Sequence, residues 1–230
     1  MPNSPLTQTS RPKRQIRSFV RREGRITPAQ RKALAELWTC YGIEDNDALL
    51  DCALLFGPGK PLTVEIGFGD GQCLRQLASA NQDMAYIGIE CHRPGAGRLL
   101  MSLQEDALTN VKVLIDDAVD ILTTRIASQS VNEFLIFFPD PWPKKRHHKR
   151  RLVNRSFLDA LARVMCNDGE FRLSTDHDEY VRWLLGLILR HQSFSWTARR
   201  PANWRTRPAD AVFTRYERKA LAAGRTCVYM

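Results

Sequence analysis

Carboxylates and glycines recur in this chain where short apolar runs give way to helical stretches. The first such place is Glu65-Ile66-Gly67-Phe68-Gly69-Asp70-Gly71. Glycines at a strand-to-helix turn let the main chain approach a ligand closely. A dinucleotide pyrophosphate site would ask for a further glycine three positions after Gly69, and Gln72 stands there instead. The second run ends at Glu90, where an acid can accept both hydroxyls of a ribose. The third ends at Asp116-Asp117-Ala118, where a carboxylate can accept from an amino group such as that of adenine, or where Asp117 simply caps the next helix. Acids at three successive strand ends describe a nucleoside pocket, because open α/β sheets bind ligands at that edge.

The fourth apolar run leads into Phe138-Pro139-Asp140-Pro141-Trp142-Pro143. Three prolines fix φ and remove donors, so this loop is stiff. It carries one carboxylate, Asp140, and one large ring, Trp142, which can stack on a base or pack beneath the loop. Lys144, Lys145, Arg146, His147, His148, Lys149, Arg150 and Arg151 follow without interruption. Alone, such a run reads as a solvated face. Directly after a rigid aromatic loop, it reads as a phosphate-binding surface.

The elements that must position these residues follow from the alternation. Residues 62–66, 85–89, 111–115, 134–138 and 170–174 read as strands, with helices near 71–80, 95–108, 118–127, 154–166 and 177–191. That pattern argues a doubly wound, mostly parallel α/β sheet with helices on both faces. Residues 194–197 and 226–229 are expected to form a C-terminal antiparallel pair around a helix near 215–223, bringing the sheet to seven strands. Thr27, Pro28 and Gln30 form a capping-box pattern opening a helix that should run to about Trp38. Residues 1–25, with Glu23 as their sole acid, read as a flexible basic arm, and 26–230 as one domain.

The chain has 230 residues, and 34 Lys+Arg against 25 Asp+Glu give a net charge of +9. That excess makes a polyanion, nucleic acid first, the expected partner. A hydrophobic fraction of 43% excludes wholesale disorder, and no apolar run is long enough to span a membrane. The six cysteines are scattered, with no C-x-x-C pair, so no metal site and no disulfide framework is expected. They read as reduced thiols in a cytoplasmic protein.

The spacing E-x-G-x-G-x-G resembles motif I of class I S-adenosylmethionine methyltransferases. The stretch from Phe138 to Arg151 is similar to the signature of the tRNA (guanine-N7-)-methyltransferase family. Ile16-Arg17-Ser18-Phe19-Val20-Arg21-Arg22, Gly88-Ile89-Glu90-Cys91-His92, Ser174-Thr175-Asp176 and Thr214-Arg215-Tyr216-Glu217 resemble its other motifs. The resemblance implies S-adenosylmethionine as cofactor, held by Glu65, Gly67, Gly69, Gly71, Glu90, Asp117, Ala118 and Asp140, with Asp140 also catalytic. It implies substrate contacts from Lys144, Asp176, Thr214, Arg215, Tyr216 and Glu217, and RNA contacts from Arg146 to Arg151. It further implies tRNA as partner, the variable loop as target, no obligatory protein partner, and a monomer or homodimer. His177 departs from the aromatic residue expected there. The chemistry agrees, since guanine N7 has an in-plane lone pair and needs alignment more than a base. Two rival readings differ in kind: a nicotinamide-dependent oxidoreductase, which Gln72 disfavours, and a non-catalytic RNA-binding protein, which should have lost its acids; a methyltransferase acting on another nucleic acid or a protein is a closer rival, because motif I does not discriminate substrates.

Overall fold

The computed structural model describes residues 24–44, 46 and 48–230. The expected basic arm therefore lies outside the described residues, apart from Gly24 and Arg25. Thr27 opens helix α1 (Pro28–Glu36) through a reciprocal pair of bonds. Its Oγ1 accepts from the Gln30 N–H at 3.2 Å, and Gln30 Oε1 accepts from the Thr27 N–H at 2.9 Å. The helix stops at Leu37, and α2 (Trp38–Tyr41) follows, so the single helix expected to reach Trp38 is two. A short α3 (Cys52–Phe56) precedes the sheet.

Strands and helices then alternate: β1 (Leu62–Ile66), α4 (Gln72–Ala80), β2 (Ala85–Ile89), α5 (Arg93–Glu105), β3 (Val111–Leu114), α6 (Ala118–Thr124) and β4 (Val131–Phe137). A 3₁₀ turn over Lys145–Arg150 leads to α7 (Arg155–Val164), β5 (Met165–Thr175), α8 (Asp178–Ile188), α9 (Ala202–Arg205), α10 (Arg215–Ala222) and β6 (Val228–Tyr229). The sheet order is β3-β2-β1-β4-β5-β6; all neighbours are parallel except β5 and β6. Every residue of β1 and β2 is buried, as strands covered on both faces require. On one face Val64, Ile87 and Ile136 meet Ile121, Leu158, Leu161 and Leu184. On the other, Tyr86 and Val113 meet Leu34, Leu74, Leu99 and Leu103.

Among the described residues the sheet has six strands, not seven. Residues 194–197 form no strand; Phe194 packs its ring on Phe171 and His191 at 6.0 and 5.1 Å. The C-terminal segment pairs with β5 instead, Ser174 opposite Tyr229 and Thr175 opposite Val228. Leu173 and Met230 exchange N–H···O bonds of 2.6 and 2.7 Å. β5 begins five residues before the expected 170–174, and β6 satisfies part of its otherwise open edge. No helix among the described residues is long and apolar enough to cross a membrane.

Candidate active site

The winding direction reverses between β1 and β4, and a cleft of about 190 Å³ opens there at the C-terminal strand ends. Ile66 at the end of β1 and Gly67 just after it line this cleft, with Glu90 and Cys91 after β2, Asp116 and Ala118 after β3, and the segment from Phe137, the last residue of β4, to Asp140. Glu90 is held in place by three backbone donors. Its Oε2 accepts from Gly69 at 2.9 Å, and its Oε1 accepts from Cys91 at 2.8 Å and His92 at 3.0 Å. The fixed carboxylate retains lone pairs for ligand hydroxyls.

The three glycines all have positive φ, but they serve different ends. Gly67 and Gly69 line the cleft. A Cβ on Gly71 would lie 2.5 Å from Leu99 Cδ1, so this glycine lets the start of α4 pack on α5. Glu65 is only 3% exposed, and its Oε2 has no hydrogen-bond partner among the described residues. Burial pushes the pKa of its carboxyl up to about 8; the Cys73 thiol opposes that rise, Glu90 adds to it, and the Leu74 amide opposes it. It borders a side pocket beside the cleft together with Gly67, Asp70, Thr214 and Tyr216. Of the acid pair after β3, Asp116 lines the cleft. Asp117 is 5% exposed and caps α6 by accepting from the Val119 N–H at 3.1 Å.

Asp140 is exposed on the cleft wall. The backbone on both sides of it is strained: Phe138 and Trp142 have φ of +53° and +42°, a region that non-glycine residues seldom enter. Arg150 lies over the Trp142 ring at 5.1 Å, and His147 meets that ring edge-on at 5.7 Å. Lys144, Lys145, Arg146 and Lys149 are exposed. Desolvation and then the surrounding cations Arg146, Arg150, Lys144 and Lys149 hold His147 below the usual imidazole range.

Arg151 departs from the rest of the basic run. It is 1% exposed and stacks on Tyr180 and Trp183, where a phosphate of RNA cannot reach it. His148 turns the same way, with Nε2 3.3 Å from Glu179. His177 caps α8, its Nδ1 accepting from the Tyr180 N–H at 3.4 Å, which accounts for a polar side chain at that position.

The C-terminal motif is partly internal too. Thr214 Oγ1 caps α10 by accepting from the Glu217 N–H at 3.1 Å. Glu217, 2% exposed, accepts from the Tyr229 hydroxyl at 2.6 Å, and Arg207 Nε lies 3.1 Å away without hydrogen-bond alignment. Glu217 thereby fastens α10 to β6, whereas Arg215 and Tyr216 remain exposed. Tyr216 reaches the cleft over Gly69. Arg218 donates to Gln72 Oε1 at 2.7 Å, tying α10 to the first turn of α4. Asp176 pairs with Arg225 at 2.6 Å.

Residues 59–230 match the family Methyltransf_4, described as "Putative methyltransferase". The tRNA (guanine-N(7)-)-methyltransferase of Halorhodospira halophila is 40% identical over 212 residues, covering 92% of this chain and 91% of that one. The chain belongs to the tRNA (guanine-N(7)-)-methyltransferase family. The family member from Nitrosococcus oceani is 45% identical over 182 residues, 79% of this chain and 77% of its own. Among solved structures, one described as an antibiotic-related methyltransferase is 18% identical with a TM-score of 0.48, over 81% of this chain and 97% of that chain. Beyond the site residues that the resemblance implies, the cleft also includes Asp116, Cys91 and Leu152. The first two adjoin strand-end residues that the spacing singles out; nothing in the sequence marks Leu152.

Proposed function

We propose that this protein transfers a methyl group from S-adenosylmethionine to N7 of a guanosine in tRNA, forming 7-methylguanosine. The observation that carries the reading is the cleft itself. Its lining includes a fixed carboxylate, Glu90, after β2 on one side of β1, and Asp140 after β4 on the other, four residues before the start of an exposed cationic run. The residues suit the cofactor. Gly67 presents bare main chain, with nothing within 4 Å of where its Cβ would stand, and Glu65 keeps an unpartnered buried oxygen beside it. Bound there, S-adenosylmethionine supplies an electrophilic methyl group on a sulfonium.

In this reading Glu90 takes the ribose hydroxyls, and the segment Asp116, Asp117 and Ala118 borders the adenine. Gly67, Gly69 and Gly71 shape the loop, and Tyr216 covers it. Asp140 orients the guanine through its N–H groups and offsets the positive charge that develops on the base as N7 attacks. No proton need leave N7 first, so alignment supplies most of the acceleration. Lys144 and Arg215 reach for the nucleotide. Arg146, His147, Lys149 and Arg150 meet phosphates, with residues 1–25 as an added basic arm. Asp176, Thr214 and Glu217 act by holding the rim. The protein works in the cytoplasm, as a monomer or homodimer without an obligatory partner, on the variable loop.

The test is incubation with labelled S-adenosylmethionine and unmodified tRNA, followed by nucleoside analysis. Label in 7-methylguanosine is expected, falling at least a hundredfold in Asp140→Ala with cofactor affinity retained. Label in any other nucleoside overturns the reading, and near-wild-type transfer by Asp140→Ala removes the role given to that residue.

A further inference from the structure

The loop from Pro139 to Pro143 has an anchoring problem. Its three prolines carry no N–H, so backbone donors are missing at alternate positions. The Phe138 N–H anchors its start, donating to Ser174 O at 2.7 Å. With donors missing at Pro139, Pro141 and Pro143, side-chain donors to the loop's carbonyls become a means of holding it.

Arg151 supplies one. Its Nε donates to Pro141 O at 2.9 Å, one residue past Asp140. Its Nη2 donates to Glu179 Oε1 at 2.9 Å. The guanidinium lies over two rings, 5.2 Å from the centroid of Tyr180 and 4.9 Å from that of Trp183. The Trp183 indole N–H is in turn bound to Val153 O at 3.1 Å. The Arg151 side chain therefore bridges the loop to α8. A buried guanidinium beside a half-exposed carboxylate is weak evidence of a stabilising device, since apolar side chains of similar volume often serve stability as well. What an apolar side chain cannot do is donate to Pro141.

Resting on the function proposed above, we propose that Arg151 is a positioning residue: it sets the Asp140 loop in its reactive geometry by clamping Pro141 O to α8, and it makes no contact with RNA. The experiment compares Arg151→Met, Arg151→Lys and Glu179→Gln with wild type. Amide hydrogen exchange at Phe138 and His147, whose N–H groups are bonded to Ser174 O and Lys144 O on the two sides of the loop, reads the loop without any substrate, so it reports on the clamp even if the proposed reaction is wrong. Failure of wild type to form 7-methylguanosine would count against the reaction alone.

Exchange at those amides is expected to speed up at least tenfold in Arg151→Met. In the same variant kcat should fall at least tenfold, with KM for tRNA within about twofold of wild type. The log–log salt slope of tRNA binding should stay unchanged. Arg151→Lys, which can still donate to Pro141, should recover part of kcat, and Glu179→Gln should lower kcat with the same unchanged slope. If Arg151→Met does not fold, the other two variants carry the same comparison. Unchanged exchange and kcat in the folded variants would overturn the proposal. So would a salt slope reduced by about 0.7–0.9, the signature of a lost phosphate contact.

Discussion

Burial raises Glu65 to about 8 from the ordinary value of 4.5. Between those values the folded chain keeps a proton that the unfolded chain releases. The folded state then binds more protons, so stability is greatest below the lower value and falls as pH rises through the upper one, by up to about 1.4 kcal/mol per pH unit. Glu65→Gln has no such proton. The unfolding free energy of wild type minus that of Glu65→Gln, measured in urea, should therefore drop by about 2 kcal/mol between pH 6 and pH 7.5. A difference that stays level or grows would mean that Glu65 is ionised in the folded chain. The unpartnered Oε2 gives this acid a second consequence, because a cation arriving in the side pocket would favour the ionised form and expel the proton.

At the scale of elements, the glycine turn between β1 and α4 separates two effects that its regular spacing hides. Gly67→Ala and Gly71→Ala both place a side chain at positive φ, a cost of roughly 1–2 kcal/mol. At Gly71 the new Cβ also meets buried Leu99, which adds about 1–3 kcal/mol of overpacking. Gly71→Ala should thus lose about 2–5 kcal/mol of stability in urea unfolding. Gly67→Ala should lose less stability and more cofactor affinity in calorimetric titration, since its methyl projects into open cleft. Equal losses in both assays at both sites would refute this division. Much of this architecture was legible in the sequence. The five parallel strands were marked by apolar runs, the ends of β1 to β4 by the acids and prolines that follow them, and α1 by its capping box. What was hidden depends on partners distant along the chain. Arg151 sits among cations in sequence, and only Tyr180 and Trp183, about thirty residues on, bury it. Glu217 looks like a free acid until Tyr229 folds back onto it. The pairing of 226–229 was misassigned because an isolated strand signal carries no information about which edge is open.

For the molecule as a whole, the +9 charge is less informative than its arrangement. Acids gather at the strand ends around the cleft, and exposed cations stand on the turn beside it. Changing Arg146, Lys149 and Arg150 together to Ser should reduce the salt slope of tRNA binding by about 2–3, from three contacts of roughly 0.7–0.9 each. An unaltered slope would return these side chains to the role of a solvated face. The C-terminal strand has a practical implication of another kind. β6 runs antiparallel to β5, so the main chain leaves Met230 at the level of Leu173, heading away from the cleft rim. A biotinylation tag or surface-capture handle fused after Met230 would present the cationic turn to the flow side of a biosensor. Removing the last three residues would instead strip Ser174 and Thr175 of their strand partners and Glu217 of its hydroxyl donor.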